Sequence, residues 1–312
     1  MKTLPLLTML VLACTSLKAF NPDYTIVPFR LHRNIIIVQG QADKVAGYFI
    51  LDTGVASLTL NSKYFYGTET NITFYDVHGN ASKVTTIVTN LHLGDWTFKN
   101  ELAHVVDFHA LEKALPFPVI GCIGVAPFQD CELVLDYVFQ ELTIYKLDNA
   151  GNRKSDYFLH THALETLYFK KDDGMPIIPI KIGEQSLQLG LDSGAGINLL
   201  NEKLKSSLTP YIIQSGNGNV TGINSKMENL EMAKIEAIQV GKLNCLPMRM
   251  MFTSIEKLNK VSPRVKIDGI LGYEFLSQFR VAINFSKKEI LVWDKATMEM
   301  QLAMRKKMDA NR

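Results

Sequence analysis

At 312 residues, 47% hydrophobic and 21% charged, the chain has an ordinary globular composition and enough length for one large domain or two of medium size. A formal net charge of +2 provides no electrostatic footprint for nucleic acid, and the densest basic run, Arg305-Lys306-Lys307, reads as a solvated helix end. Four cysteines, at 14, 122, 131 and 245, are too few for a disulfide framework.

The first element is MKTLPLLTMLVLACTSLKA, residues 1–19, with one lysine ahead of an apolar run from Leu4 to Ala13. That layout predicts a secretory leader, and the run is too short to span a bilayer. Cleavage after Ala19 is one reading. Lipid modification at Cys14, which follows Val11-Leu12-Ala13, is the other, and would tether the protein to a membrane surface. Either route exports the chain to the periplasm, the cell envelope or the exterior. Cys122 and Cys131 then either pair across a short loop or stay as small buried thiols. So few bridges in an exported chain point to a bacterial envelope protein.

Beyond the leader, short apolar or alternating runs such as NIIIVQG, YFILD, LHLG and ELTIY stand between Gly, Asn and Asp turn signals, which predicts an all-β protein with few helices. Helical signal is confined to 110–115, 254–260 and a C-terminal ATMEMQLAMRKKM. DNAGNRKSDY, residues 148–157, has the composition of a linker and divides the mature chain into an N-terminal unit, 20–150, and a C-terminal unit, 151–312. The glycine-rich SGNGNVTG at 215–222 has no following Lys-Ser/Thr and is expected to form a turn, not a phosphate cradle.

The two units repeat each other. LDTGVASLTLNSK at 51–63 lies over LDSGAGINLLNEK at 191–203 with six identities in thirteen positions, and Thr53 against Ser193 keeps the hydroxyl. The series continues in order: Gly79, Ser82 and Lys83 with Gly222, Ser225 and Lys226; LHLG at 91–94 with IQVG at 238–241; Gly124 with Gly272; and 132–146 with 279–293. An ordered series argues for two copies of one structural unit.

A lone Asp-Thr-Gly is ordinary turn chemistry. Two such turns, each ending an apolar strand at the same place in a repeat, have a chemical use if the units pack about an approximate two-fold axis. Asp52 and Asp192 would then share one proton, because two adjacent carboxylates do not both ionise cheaply. Such a pair holds a general base and a general acid together, enough to activate a water against an amide carbonyl without a metal or a cofactor. Thr53 and Ser193 would tie the turns together, and Gly54 and Gly194 would let the backbone approach the carboxyls.

FILDTG and LGLDSG, with the apolar-apolar-Gly segments Cys122-Ile123-Gly124 and Ile270-Leu271-Gly272, resemble the paired half-sites of pepsin-like and retropepsin-like aspartic proteases. The similarity runs over about residues 30 to 295. It implies a bilobal fold of two β-barrel-like lobes related by a pseudo-two-fold axis, with a cleft for an extended peptide or protein substrate and a β-hairpin flap, acting as a monomeric endopeptidase. Residues 71–89, with arms around His78-Gly79-Asn80, are the candidate flap. Tyr75 on its approach arm resembles the family's flap tyrosine, with ordinary strand packing as the alternative. The chain departs from the family by placing Val55 and Ala195 where a hydroxyl donor is usual. Fewer donors to the ionised carboxyls imply an optimum at mildly acidic to neutral pH. The bulk of Val55 also predicts a distorted first half-site.

The rival reading is a catalytically silent relative that binds peptide or glycan between the lobes. Other chemistries find less: the seven histidines form no His-Glu-x-x-His pattern, and DSGAG is not a Gly-x-Ser-x-Gly elbow.

Overall fold

A computed structural model describes residues 23–295 apart from 76–80, 156–161, 173, 221–227, 257–258 and 260–264. The leader with Cys14, the C-terminal helix and the His78-Gly79-Asn80 tip lie outside the described residues.

The first half contributes β1 (Tyr24–His32), β2 (Ile35–Ala42), β3 (Val45–Leu51), β4 (Leu58–Asn61), β5 (Thr68–Tyr75), β6 (Ala81–Leu93), β7 (Trp96–Val106), β8 (Val119–Ile123), β9 (Cys131–Asp136) and β10 (Glu141–Lys146). A short helix, α1 (His109–Ala114), lies between β7 and β8, where the sequence places one. The second half contributes β11 (Glu165–Tyr168), β12 (Lys170–Asp172), β13 (Met175–Ile182), β14 (Gln185–Leu191), β15 (Asn198–Asn201), β16 (Ile212–Val220), β17 (Glu228–Ile235), β18 (Ile238–Val240), β19 (Leu243–Asn244), β20 (Met248–Thr253), β21 (Gly269–Leu271), β22 (Phe279–Asn284) and β23 (Glu289–Asp294). The protein is all-β and bilobal, as expected.

The repeat is also a repeat of topology. β3 runs parallel to β8, and β4 is antiparallel to β8 and parallel to β7. In the second half β14 runs parallel to β21, and β15 is antiparallel to β21 and parallel to β20. The hairpins β5–β6 and β16–β17 extend these sheets through β7 and β20 respectively.

A seam joins the halves. β9 pairs antiparallel with β22, so the hairpins β9–β10 and β22–β23 form one continuous sheet with β1 and β11. Every residue of β9 and β22 is buried, which is why both read as near-continuous apolar runs. Their polar exceptions are paired: Arg280 Nε donates to Asp136 Oδ2 at 2.7 Å, and Glu132 accepts from Asn284 Nδ2 at 3.0 Å and Arg153 Nε at 2.6 Å. Burying these charges is tolerable only because each meets a partner.

Three local expectations are revised. The first strand begins at Tyr24, well before NIIIVQG. Residues 24–28 of β1 pair with β10 and residues 29–32 with β2, so Pro28, which has no N–H to donate, stands where the strand changes sheet partners. The glycine-rich 215–220 is ladder in β16, not turn, since strand hydrogen bonds come from the backbone. The linker composition at 148–155 hides a tied turn: Asp148 Oδ1 accepts from Ala150 N at 2.9 Å and Asn152 N at 2.8 Å, and Arg153 lies 4.9 Å over the Tyr145 ring. Cys122, Cys131 and Cys245 are free thiols, so Cys122 and Cys131 do not pair.

Candidate active site

Each aspartate stands at the end of a buried strand with its backbone still held by the neighbouring one. Asp52 N donates to Ile123 O at 3.0 Å, and Asp192 N donates to Leu271 O at 2.9 Å. Each turn closes with the same bond, Val55 N to Asp52 O and Ala195 N to Asp192 O, both 3.3 Å. Val55 O accepts from Val125 N at 3.0 Å where Ala195 O accepts from Tyr273 N at 2.9 Å. Val55 therefore does not distort the first half-site. The residue is partly exposed, and its backbone keeps the bonds that define the turn.

Thr53 and Ser193 lock the turns together in the reciprocal manner that their hydroxyls allow. Thr53 N donates to Ser193 Oγ at 3.1 Å, and Ser193 N donates to Thr53 Oγ1 at 3.0 Å. Each hydroxyl then donates to the opposite strand, Thr53 Oγ1 to Leu191 O at 3.0 Å and Ser193 Oγ to Leu51 O at 2.9 Å. Both residues are buried, so a missing partner would leave a backbone N–H without water. Gly54 and Gly194 are required by close approach: a Cβ on Gly54 would stand 2.7 Å from Asp192 Cγ, and one on Gly194 would stand 2.5 Å from Asp52 Cγ.

Each carboxyl thus lies against the glycine of the opposite turn, and the two are near enough that each acts on the ionisation of the other. Gly54 N donates to Asp52 Oδ1 at 2.9 Å and Gly194 N to Asp192 Oδ1 at 2.7 Å. Burial, then the charge of Asp52, holds the Asp192 carboxyl well above the usual carboxylate range. Burial raises Asp52 as well, opposed by Asp192, the Gly54 N–H and the Cys122 thiol. A pair in this state binds one proton at a pH where isolated carboxyls hold none.

Three neighbours were given no role at the carboxyls by the sequence. Cys122, read as a buried thiol, as half a disulfide and as the start of the Cys122-Ile123-Gly124 segment, has its Sγ 3.6 Å from Asp52 Oδ2. Tyr137 is buried, its hydroxyl without a partner and its ring packed edge-on at 5.6 Å against Tyr273, and burial first, then the charges of Tyr273 and Asp192, push its phenol up. The signal for Cys122 was present in its place beside the aspartate strand; the tyrosines carry no local pattern. Tyr75 is the last residue of β5 and faces Ala81 of β6 in the ladder, so the hairpin arms are present and the tip between them lies outside the described residues. No group of three or more His, Cys, Asp or Glu side chains able to hold a metal occurs among the described residues.

A family model for aspartyl protease matches residues 178–275, the segment that holds Asp192, Ser193, Gly194 and the Ile270-Leu271-Gly272 strand. The fold is similar to the crystal structure of Basic 7S globulin from soybean, with a TM-score of 0.52 at 10% identity over 86% of this chain and 94% of that one. Identity this low speaks to fold alone. No curated protein sequence matches the chain.

Proposed function

We propose that this aspartic-protease-like protein is an endopeptidase, which hydrolyses peptide bonds of extended polypeptide segments with a water activated between Asp52 and Asp192. The placement of each carboxyl against the glycine of the opposite, matching turn carries the reading. The ionised carboxyl takes a proton from water as its oxygen attacks the amide carbon, and the protonated carboxyl donates to the carbonyl oxygen. The resulting diol collapses as the amide nitrogen takes the proton first removed from water. The diol returns its own proton to the pair, which regains its starting state. No covalent enzyme intermediate forms on this route.

The test is digestion of a peptide library by the purified protein, with Asp52→Asn and Asp192→Asn as controls, across mildly acidic to neutral pH. Fragments that disappear in both variants support the proposal, and fragments that persist in either overturn the shared-proton mechanism. Peptides or glycans bound but never cut would instead support the silent, cleft-binding alternative. The apolar leader supports export, and an intact mass of the mature protein distinguishes a chain starting at Phe20 from one lipidated at Cys14.

A further inference from the structure

The backbone bonds that close the two turns and the exchange between their hydroxyls match, and the strands beside the aspartates do not. Ile50 pairs with Cys122 on β8 at the position where Gly190 pairs with Ile270 on β21. One half of the molecule therefore places a thiol beside the dyad where the other places a hydrocarbon. Cys122 is fully buried among Ile37, Ile50, Val84, Val106 and Phe108, and its Sγ lies 3.6 Å from Oδ2 of Asp52 in donating geometry. The other oxygen of that carboxyl already accepts from Gly54 N at 2.9 Å. Asp52 thus has a donor on each oxygen besides its interaction with Asp192. Asp192 has the matching Gly194 N–H, is also acted on by the Gly54 N–H from the opposite turn, and gains no side-chain donor from Ile270.

We infer that Cys122 is a positioning residue of the dyad. Its thiol hydrogen bond to Oδ2 stabilises the ionised form of Asp52 and leaves the shared proton on Asp192, so that Asp52 serves as base and Asp192 as acid. A hydrogen bond to a charged acceptor is stronger than one to a neutral acid, which gives the thiol its preference for the ionised form. Burial and the two carboxyls push the Cys122 thiol well up, so it keeps its proton and remains a donor throughout the working range. No bond to sulfur forms or breaks. Asp52 is faced by Asp192 from the second turn, by Cys122 from β8, and by the N–H groups of Gly54 and Val55 from its own turn. The charge of Asp192 also reaches the buried phenol of Tyr137, itself beside Tyr273, but that hydroxyl makes no hydrogen bond to either carboxyl. The Gly54 N–H acts on both carboxyls, so the thiol is the side-chain donor that serves Asp52 alone. The thiol also occupies the role left open by Val55, which has no hydroxyl.

The inference rests on the proposed dyad, and its test separates the two. Carboxyl carbons of 13C-aspartate-labelled protein are titrated by NMR in the wild type, Cys122→Val and Cys122→Ser, with Asp52→Asn and Asp192→Asn for assignment. Valine is expected to raise the lower apparent titration of the pair by roughly half to one pH unit, and serine to leave it at or below the wild-type value. The acidic limb of the pH–rate profile should move with it, through kcat and not KM. Equal titrations in wild type and Cys122→Val, or a serine variant that titrates like the valine one, would overturn the inference. Should Cys122→Val fail to fold, the wild-type S–H stretching band decides: identified by its loss in Cys122→Ser, it is expected to rise in Asp52→Ala, and a band that does not move overturns the inference. A wild type that cleaves nothing while Cys122→Val raises the titration would sink the peptidase reading and leave Cys122 in its role. Cleavage with no change in titration would do the reverse.

Discussion

The turn after β3 and the turn after β14 are built from the same bonds, yet they hold their aspartates in different surroundings. Asp52 keeps partial solvent exposure and meets a thiol at Oδ2, whereas Asp192 is 6% exposed and has an isoleucine at the equivalent place on β21. The shared bonds bring two carboxyls together, and the unshared neighbours decide which of them carries charge. Symmetry therefore makes the site and departure from symmetry divides its labour.

The comparison breaks most completely at the carboxyls. Asp52→Asn and Asp192→Asn are each expected to lower kcat by roughly 10²- to 10⁴-fold, with the double variant little worse than either, because the pair acts as a unit. Steady-state kinetics on a cleaved library peptide measures this. Next come the glycines. Gly194→Ala places a methyl 2.5 Å from Asp52 Cγ and Gly54→Ala one 2.7 Å from Asp192 Cγ, so each displaces the opposite carboxyl. A loss of about 10²-fold in kcat is expected from each while the unfolding transition moves far less, since a misplaced reacting group costs on that order.

The hydroxyls sharpen the symmetric side of the comparison. Thr53→Val orphans Ser193 N and Ser193→Ala orphans Thr53 N, both buried, so each should cost ~1–3 kcal/mol in urea unfolding. The double variant should cost less than the sum, as expected for partners in one network. The smallest effect tests the asymmetric side. A carboxyl raised in the folded state binds its proton more tightly there than in the unfolded chain. Its contribution to stability is therefore present below the unfolded value of about 4 and lost as pH rises through the folded one. Asp192→Asn should accordingly melt above the wild type near pH 7, with the gain fading below about pH 4. Asp52→Asn should gain less, because the carboxylate it removes keeps partial solvent exposure and accepts from the Cys122 thiol. Equal gains in thermal unfolding would remove the asymmetry.

Much of this was readable from the chain because the chemistry is local. Asp, hydroxyl and Gly must be contiguous to make the turn, so LDTG and LDSG are visible as words, and their repetition within an ordered series exposes the duplicated β fold. Other elements hide where side-chain pattern and backbone role separate. Pro28 lacks the N–H expected of a strand residue and is tolerated in β1 because the strand changes partners there, and the glycines of β16 carry no side chains from which to read a strand. Arg153 sits in a stretch with linker composition, although its guanidinium pairs with the buried Glu132 of the seam. Val55 misled in the other direction, since its backbone makes the same turn bonds as Ala195 in spite of its bulk.

By itself the sequence determined an all-β chain with two equivalent turns, each able to present a carboxyl at the end of a buried strand. These follow from hydrophobic pattern and turn chemistry, which act over a few residues. Only the tertiary structure decided that β9 and β22 join the halves, that Thr53 and Ser193 exchange hydrogen bonds across 140 residues, and that Cys122 lies against Asp52. Proton sharing depends on desolvation and on which donors crowd each oxygen. Both are properties of the packed surroundings, and no stretch of contiguous residues contains them.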